Sequence, residues 1–258
     1  MSFSIFTYNT LFNNAVDGIK PILDKYQPDI ICLQEVKTDE RNLKRIEKMG
    51  WKLADYANSF VRYGQFYGVA TFYNPKKFLH LGSDALYPGS NIAEILFTLL
   101  QVILGYKKPK TFLKTDFRSK IGKKTVSICN IHLYVVGSNA LRVRHIKQAI
   151  NLMSTTGPLV LTGDFNYFPY QRRMLENFMK KQGFTEATRN ISQTIKFTKD
   201  VTSETYSLFQ KFSLKIFGRI LENLKIDYIF FRKLKLKNTK RIEVRLSDHF
   251  PIISKFEI

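Results

Sequence analysis

The sequence predicts one α/β domain built from layered sheets and spanning residues 1–258. Three observations carry that expectation. Strand-like and helix-like periods alternate along the chain, with no Pro/Ser-rich linker, repeat or low-complexity tract between them. Hydrophobic residues make up 44% of the composition and charged residues 24%, which supports a large core and excludes a disordered chain. Several apolar runs end in Asp, Glu, Asn or His, so polar chemistry is expected at strand ends.

The elements follow in order. Residues 3–10 alternate and are rich in aromatic and β-branched side chains, as a strand requires. Residues 17–27 read as a helix, and Pro28-Asp29 starts a strand over 30–36. A polar helix over 39–49 stops at Gly50, and a strand over 67–73 is closed by the turn signal Asn74-Pro75. An apolar helical insertion is expected around 91–105, with Asn91 and Glu94 as its capping pair and Gly105 as its stop. Its polar residues, Glu94, Thr98 and Gln101, form one narrow stripe, and Lys107, Lys108, Lys110 and Lys114 follow. Two readings of that insertion stay open: a helix packed on the domain, or an interfacial helix whose lysines meet anionic lipid. Further on, 125–133 reads as a buried strand, 140–153 as a basic amphipathic helix, and 158–162 as a strand entering a turn at Gly163. A helix over 171–182, a strand over 225–231, a strand-like run over 242–246 and a strand over 251–256 complete the series. Residues 185–220 mix polar and aromatic side chains and suit loop or edge strands.

Charge points to the class of partner. The net charge is +20, and it is unevenly placed: residues 1–100 hold 11 Lys/Arg against 10 Asp/Glu, residues 101–258 hold 30 against 11. Such a surface favours a polyanion, nucleic acid first and an anionic membrane surface second. A lysine-rich surface serving solubility alone would look similar. Cys32 and Cys129 sit in apolar runs and are expected to be buried free thiols. No secretory signal is visible at residues 1–6, and the apolar run 92–104 is shorter than the roughly 20 residues that span a bilayer. A cytoplasmic monomer, with peripheral membrane association as the alternative, is the expectation.

Four polar clusters recur in strand contexts: Asn9, Gln34-Glu35, Asn130-Ile131-His132 with Gly163-Asp164-Phe165-Asn166, and Ser247-Asp248-His249. Hydrolysis of a phosphate ester needs charge neutralisation, an activated water and a stabilised leaving oxygen, and a hard cation on carboxylates supplies the first and third. Glu35 ends the run Ile-Ile-Cys-Leu-Gln-Glu, where a solvated strand-end acid is the plainer alternative. Asp164 and Asn166 emerge together beyond Gly163, aimed at one water and one phosphate oxygen unless they merely form a turn. Alternation puts Asn130 and His132 on one strand face. Asp227 lies within an apolar strand and suits a partner such as His249, which it would hold in one tautomer. His80 and His145 lack such company. Gly-x-Ser-x-Gly, Gly-x-x-x-x-Gly-Lys and the dinucleotide fingerprint are all absent.

In order and in context, these segments resemble the endonuclease/exonuclease/phosphatase superfamily, which includes pancreatic-type deoxyribonuclease, exonuclease III-type repair nucleases, inositol polyphosphate 5-phosphatases and neutral sphingomyelinases. The resemblance runs from Thr7-Tyr8-Asn9 through Leu33-Gln34-Glu35-Val36, Asn130-Ile131-His132-Leu133, Gly163-Asp164-Phe165-Asn166 and Ile226-Asp227-Tyr228 to Ser247-Asp248-His249-Phe250-Pro251. It implies a deoxyribonuclease-like four-layer α+β sandwich, two packed mixed β-sheets flanked by helices, with the site at one end. It also implies a Mg²⁺-dependent phosphodiesterase (Mn²⁺ is the other candidate ion) acting on nucleic acid, with membrane phospholipid as the alternative substrate. Glu35 would be the principal metal ligand, with Asn9 and Asp248 beside it. Asp164 would activate or orient the water, Asn130 and Asn166 would bind substrate, and His132 would contact phosphate oxygens. His249, oriented by Asp227, would stabilise the transition state or move a proton. One departure stands out: Tyr167 is followed by Phe168, where inositol 5-phosphatases carry Tyr-Arg. A catalytically silent scaffold is the third reading, and unpaired buried acids count against it.

Overall fold

The computed structural model describes residues 1–62, 64–90, 110–134, 137–196 and 224–258. The expected helix over 92–104, Lys107, Lys108 and most of 185–220 lie outside the described residues.

Among the described residues, two mixed sheets of six strands each form the centre of the fold. The first contains β1 (Ser2–Asn9), β2 (Ile30–Lys37), β3 (Lys52–Arg62), β4 (Gln65–Tyr73), β11 (Lys235–Arg241) and β12 (Ile252–Glu257), in the order β11-β12-β1-β2-β4-β3. The second contains β5 (Phe78–Leu86), β6 (Thr111–Ser119), β7 (Thr125–His132), β8 (Leu159–Asp164), β9 (Thr185–Glu186) and β10 (Asp227–Arg232), in the order β5-β6-β7-β8-β10-β9. Each sheet has one parallel pair at its centre, β1 with β2 and β7 with β8. Strands buried on both faces need no alternation, which is why 30–36 and 159–162 read as continuous apolar runs.

The inner faces meet in an apolar layer that includes Phe3, Ile5, Ile30, Cys32, Phe117, Ile128, Val160 and Ile252. The outer face of the first sheet is covered through Val16, Ile19, Leu23, Leu43 and Ile46, from a 3-10 turn, α1 (Lys20–Tyr26) and α2 (Glu40–Glu47). The outer face of the second is covered by α3 (Asn139–Met153) and α4 (Arg172–Lys181) through Ile146, Ala149, Ile150, Leu175 and Met179. The result is the expected four-layer α+β sandwich. Asp39 caps α2 by accepting from the Asn42 amide, and Ser138 caps α3 in the same way from Leu141. Cys32 and Cys129 are buried free thiols.

Three expectations are corrected. The helix over 17–27 is split into a 3-10 turn, Asn14–Gly18, and α1, with Pro21 in the first turn of α1. Proline removes a donor and starts a helix more readily than it continues one. Residues 242–246 are not a strand. The Ile242 amide donates to the Pro251 carbonyl, and the adjoining strand is β11 over Lys235–Arg241. Gly163 lies inside β8 rather than in a turn, paired with Ile131 across the parallel ladder. Its φ is +130°, and a Cβ there would lie 2.1 Å from the Ile131 carbonyl oxygen, so only glycine fits.

Candidate active site

Strand direction and register gather the polar clusters. β1 and β2 run parallel and pair Asn9 with Gln34, one residue short of Glu35. β7 and β8 run parallel and pair His132 with Asp164. β10 runs antiparallel to β8, so its first residue, Asp227, is paired with Asp164 at the same end. The loop ahead of β12 brings Ser247, Asp248 and His249 there as well. The Ser247 hydroxyl donates to the Asn9 carbonyl at 2.8 Å, with Asp248 Oδ1 at 3.1 Å.

Around that point the distances are short. His132 Nε2 lies 3.6 Å from Glu35 Oε1 and 3.8 Å from Asp164 Oδ2. His249 Nδ1 donates to Asp227 Oδ2 at 2.9 Å, as expected, which turns Nε2 towards Asp164 Oδ2 and Asp248 Oδ1, each 3.9 Å away. Asn9 Nδ2 donates to Asp164 Oδ2 at 3.0 Å, and Asn9 Oδ1 accepts from the Leu11 amide. Glu35 has a left-handed φ of +54° and sits where the β2–β4 register shifts. That bulge breaks the alternation and re-aims its carboxylate, which accepts from the Phe12 amide at 3.3 Å. Asn166 also has a positive φ, +46°.

Two asparagines of the expected site are engaged within the protein. Asn130 is fully buried: its Nδ2 donates to the Leu33 and Ala70 carbonyls, and its Oδ1 accepts from Gln34 Nε2 at 2.7 Å. It ties the two sheets together one step behind His132 instead of facing substrate. Asn166 spends Nδ2 on the Leu133 carbonyl at 2.7 Å and Asp164 Oδ2 at 3.0 Å, while its backbone amide donates to Asp164 Oδ1 at 2.8 Å. Its side chain thereby braces Asp164. The carboxylate neighbours of His132, for which the sequence offered no motif, are Glu35 and Asp164.

The electrostatics follow from burial. Glu35, Asp164, Asp227 and Asp248 are all buried at one end of the sandwich. Burial, then the Asp227 and Glu35 charges, push the Asp164 carboxyl up to about 7, against the opposing pull of His249 and the Asn166 amide. Burial works against a charged His249, and Asp227, Asp248 and Asp164 together outweigh it, raising the imidazole to about 10. Buried carboxylates gathered at one point, with Asp227 and Glu35 raising the proton affinity of Asp164, are a suitable seat for a cation. Among the described residues, no three His, Cys, Asp or Glu side chains close into a ready cage for a metal. Magnesium does not need one, since it keeps several waters and takes one or two carboxylates plus substrate oxygens. Glu35, Asp248 and Asn9, all buried at that end of the sandwich, are oxygen donors of the type such a lighter set needs.

Two further residues act by position: Gln34, to which the Gln34-Glu35 cluster assigned no role, and Thr194, which lies outside every motif. Gln34, fully buried, joins Asn130 to Thr7 across the sheets. Thr194, also fully buried, accepts the Ile226 and Asp227 amides on its hydroxyl at 3.0 and 3.1 Å, while its carbonyl accepts from Phe250 at 2.8 Å. Ile195 bridges His249, and the Lys196 amide donates to the Asp248 carbonyl. One short segment thus ties Asp227 to the loop that bears His249.

A family model described as Endonuclease/Exonuclease/phosphatase family matches residues 6–249. A UPF0294 protein of Vibrio parahaemolyticus is 26% identical over 152 residues, which cover 58% of this chain and 46% of that protein. A UPF0294 protein of Vibrio cholerae is 21% identical over 235 residues, covering 89% of this chain and 68% of that protein. The match to the first of these spans about half its length. Among solved structures, the human Nocturnin catalytic domain with bound sulfate superposes with a TM-score of 0.69 at 16% identity, covering 99% of this chain and 93% of that one. A mannosyl-6-phosphatase of Bacteroides thetaiotaomicron gives a TM-score of 0.68 at 17% identity, covering 99% and 100%. At such identities the likeness is one of fold.

Proposed function

This chain belongs to the endonuclease/exonuclease/phosphatase family, and from that we propose that it is a divalent-metal-dependent hydrolase of phosphodiesters in nucleic acid. The observation that carries the proposal is the meeting of Glu35, His132, Asp164 and the Asp227–His249 pair within about 4 Å steps of one another. The net charge of +20 supports a polyanionic substrate.

Glu35, with Asp248 and Asn9 beside it, would hold Mg²⁺, which when bound supplies charge neutralisation at the phosphate. Asp164 is fixed by three donors, from Asn9 and Asn166, so its carboxylate is preorganised to orient an attacking water. His249 has its Nδ1–H committed to Asp227, leaving Nε2 on the side of Asp164, where it would donate to a phosphate oxygen. His132, with Nε2 3.6 Å from Glu35 Oε1 and 3.8 Å from Asp164 Oδ2, would contribute a second imidazole beside the same carboxylate.

The test is a substrate panel of single- and double-stranded DNA, RNA, sphingomyelin and phosphoinositides, run with Mg²⁺ and with EDTA. Nucleic-acid cleavage that EDTA abolishes, and that Glu35→Ala and His249→Ala each reduce by about 10²-fold or more, is expected. Cleavage of lipid alone would overturn the choice of substrate. Failure to cleave any member of the panel would overturn the reaction class.

A further inference from the structure

Where the chain leaves the candidate site it builds an aromatic stack that takes no part in the chemistry described above. Asn166 is followed by Tyr167, Phe168, Pro169 and Tyr170. The Tyr167 ring is fully buried, and its hydroxyl donates to the Gln171 carbonyl at 2.8 Å, closing the turn Pro169–Gln171. Phe168 is clamped on both sides by buried Asn139: its amide donates to Asn139 Oδ1 at 3.1 Å and its carbonyl accepts from Asn139 Nδ2 at 2.9 Å. Beneath the Phe168 ring, 5.0 Å from its centre, lies the guanidinium of fully buried Arg142, itself anchored to the Gly137 and Tyr134 carbonyls. The Tyr170 ring stacks near-parallel on Phe168, at 16° with centroids 6.2 Å apart, and Tyr170 is 71% exposed.

A lone exposed aromatic needs no explanation. This one differs because everything beneath it is fixed, so a planar group stacking on its outer side would immobilise little further. Asn166, two residues before Phe168, donates to Asp164 Oδ2 at 3.0 Å and to the Leu133 carbonyl at 2.7 Å, and Arg142 donates to the next carbonyl, Tyr134, which sets the root of the stack beside the proposed water-orienting carboxylate. A nucleic acid threaded past that carboxylate has planar bases attached to its phosphates, and every base has a π-face. Only an unpaired base can leave its own stack cheaply enough to use such a ring.

We propose that Phe168 and Tyr170 form a stacking subsite for an unpaired nucleobase next to the scissile phosphate. The proposal rests on the nucleic-acid reading given under Proposed function.

The test measures binding in EDTA, so that turnover does not interfere, by fluorescence anisotropy of two single-stranded probes of about 12 nucleotides. One bears all its bases and the other is abasic at the same charge. Tyr170→Ala is expected to weaken binding of the base-bearing probe about tenfold and to leave the abasic probe unchanged. Tyr170→Phe should retain the wild-type preference, and a 2-aminopurine in the probe should be quenched by wild type and Tyr170→Phe but not by Tyr170→Ala. Equal effects of Tyr170→Ala on both probes, or on neither, would overturn the subsite while leaving the nucleic-acid reading intact. Wild-type protein that binds neither probe would overturn both.

Discussion

Asp227 decides what His249 can do. With Nδ1 bonded to a buried carboxylate at 2.9 Å, the imidazole is fixed in orientation and its charged form is favoured. Asp227→Asn keeps the size of the side chain and removes the charge, so kcat should fall by about 10²–10⁴-fold with little change in KM. Steady-state kinetics on the cleaved substrate would check this, and a change confined to KM would contradict it. His145 offers the opposite case, a buried imidazole kept neutral. Burial first, then Lys110 and Arg144, hold it down to about 3, and its ring nitrogens meet Lys110 Nζ at 2.9 Å and the Tyr134 hydroxyl at 3.1 Å. Its unfolded value is higher, so the unfolded chain takes up the proton first and stability falls as pH drops from about 6.5 towards about 3. In His145→Gln that slope should flatten by up to about 1.4 kcal/mol per pH unit, read from urea melts between pH 4 and 6. At this scale Glu35, His132, Asp164 and Asp227 were legible in the sequence, because a carboxylate or imidazole inside an apolar strand is costly and therefore conspicuous, whereas Asp248 and His249, in a loop, were legible through the family pattern they complete. The duties of Asn130 and Asn166 were not, because an amide gives the same sequence signal whether it bonds substrate or main chain.

Elements set the positions that those residues occupy. The parallel pairs were readable as uninterrupted apolar runs, whereas β3, β5 and β11 were not. These strands are partly exposed, and in β11 Lys235, Lys237, Lys240 and Arg241 obscure the alternation, as suits strands near a sheet edge. Gly163 shows how a correct residue can carry the wrong inference: glycine was required by the approach of two strands, not by a turn. Gly163→Ala would drive a methyl into the Ile131 carbonyl next to the His132–Asp164 pair. It should cost about 2–3 kcal/mol or more, seen as a lowered urea midpoint at unchanged m-value. The segment 194–196 makes a second prediction at this scale. If Thr194 acts by holding Asp227, removing its hydroxyl should matter only while Asp227 is intact. Thr194→Val should lower kcat by about tenfold or more, Thr194→Ser should restore it, and Thr194→Val/Asp227→Asn should be no slower than Asp227→Asn alone. Additive losses in the double variant would show that Thr194 serves general stability instead.

Across the whole molecule the excess positive charge acts twice, with opposite signs. A net charge of +20 on 258 residues repels itself in the folded state, so added salt should screen the repulsion and raise the melting temperature. The same salt should weaken a polyanionic substrate, because each phosphate neutralised by Lys or Arg releases counterions on binding. For a single strand the slope of log K against log salt is about −0.7 per phosphate contacted, so a site covering about six phosphates should lose on the order of 10²–10³-fold in affinity between 50 and 200 mM. The two effects separate the alternatives that composition alone leaves open. A lysine-rich surface that merely maintains solubility predicts the rise in melting temperature and no specific loss of binding to a substrate. A stacking or apolar mode of recognition without phosphate contacts predicts a nearly flat binding slope. A surface that tracks a nucleic-acid backbone predicts both effects at once, with KM rising steeply with salt while kcat at saturating substrate changes little, since Glu35, Asp164 and His249 are buried and poorly screened. A KM that is insensitive to salt over that range would remove the charge-based ground for a polyanionic substrate and leave the phosphoesterase site to act on a small or weakly charged ester.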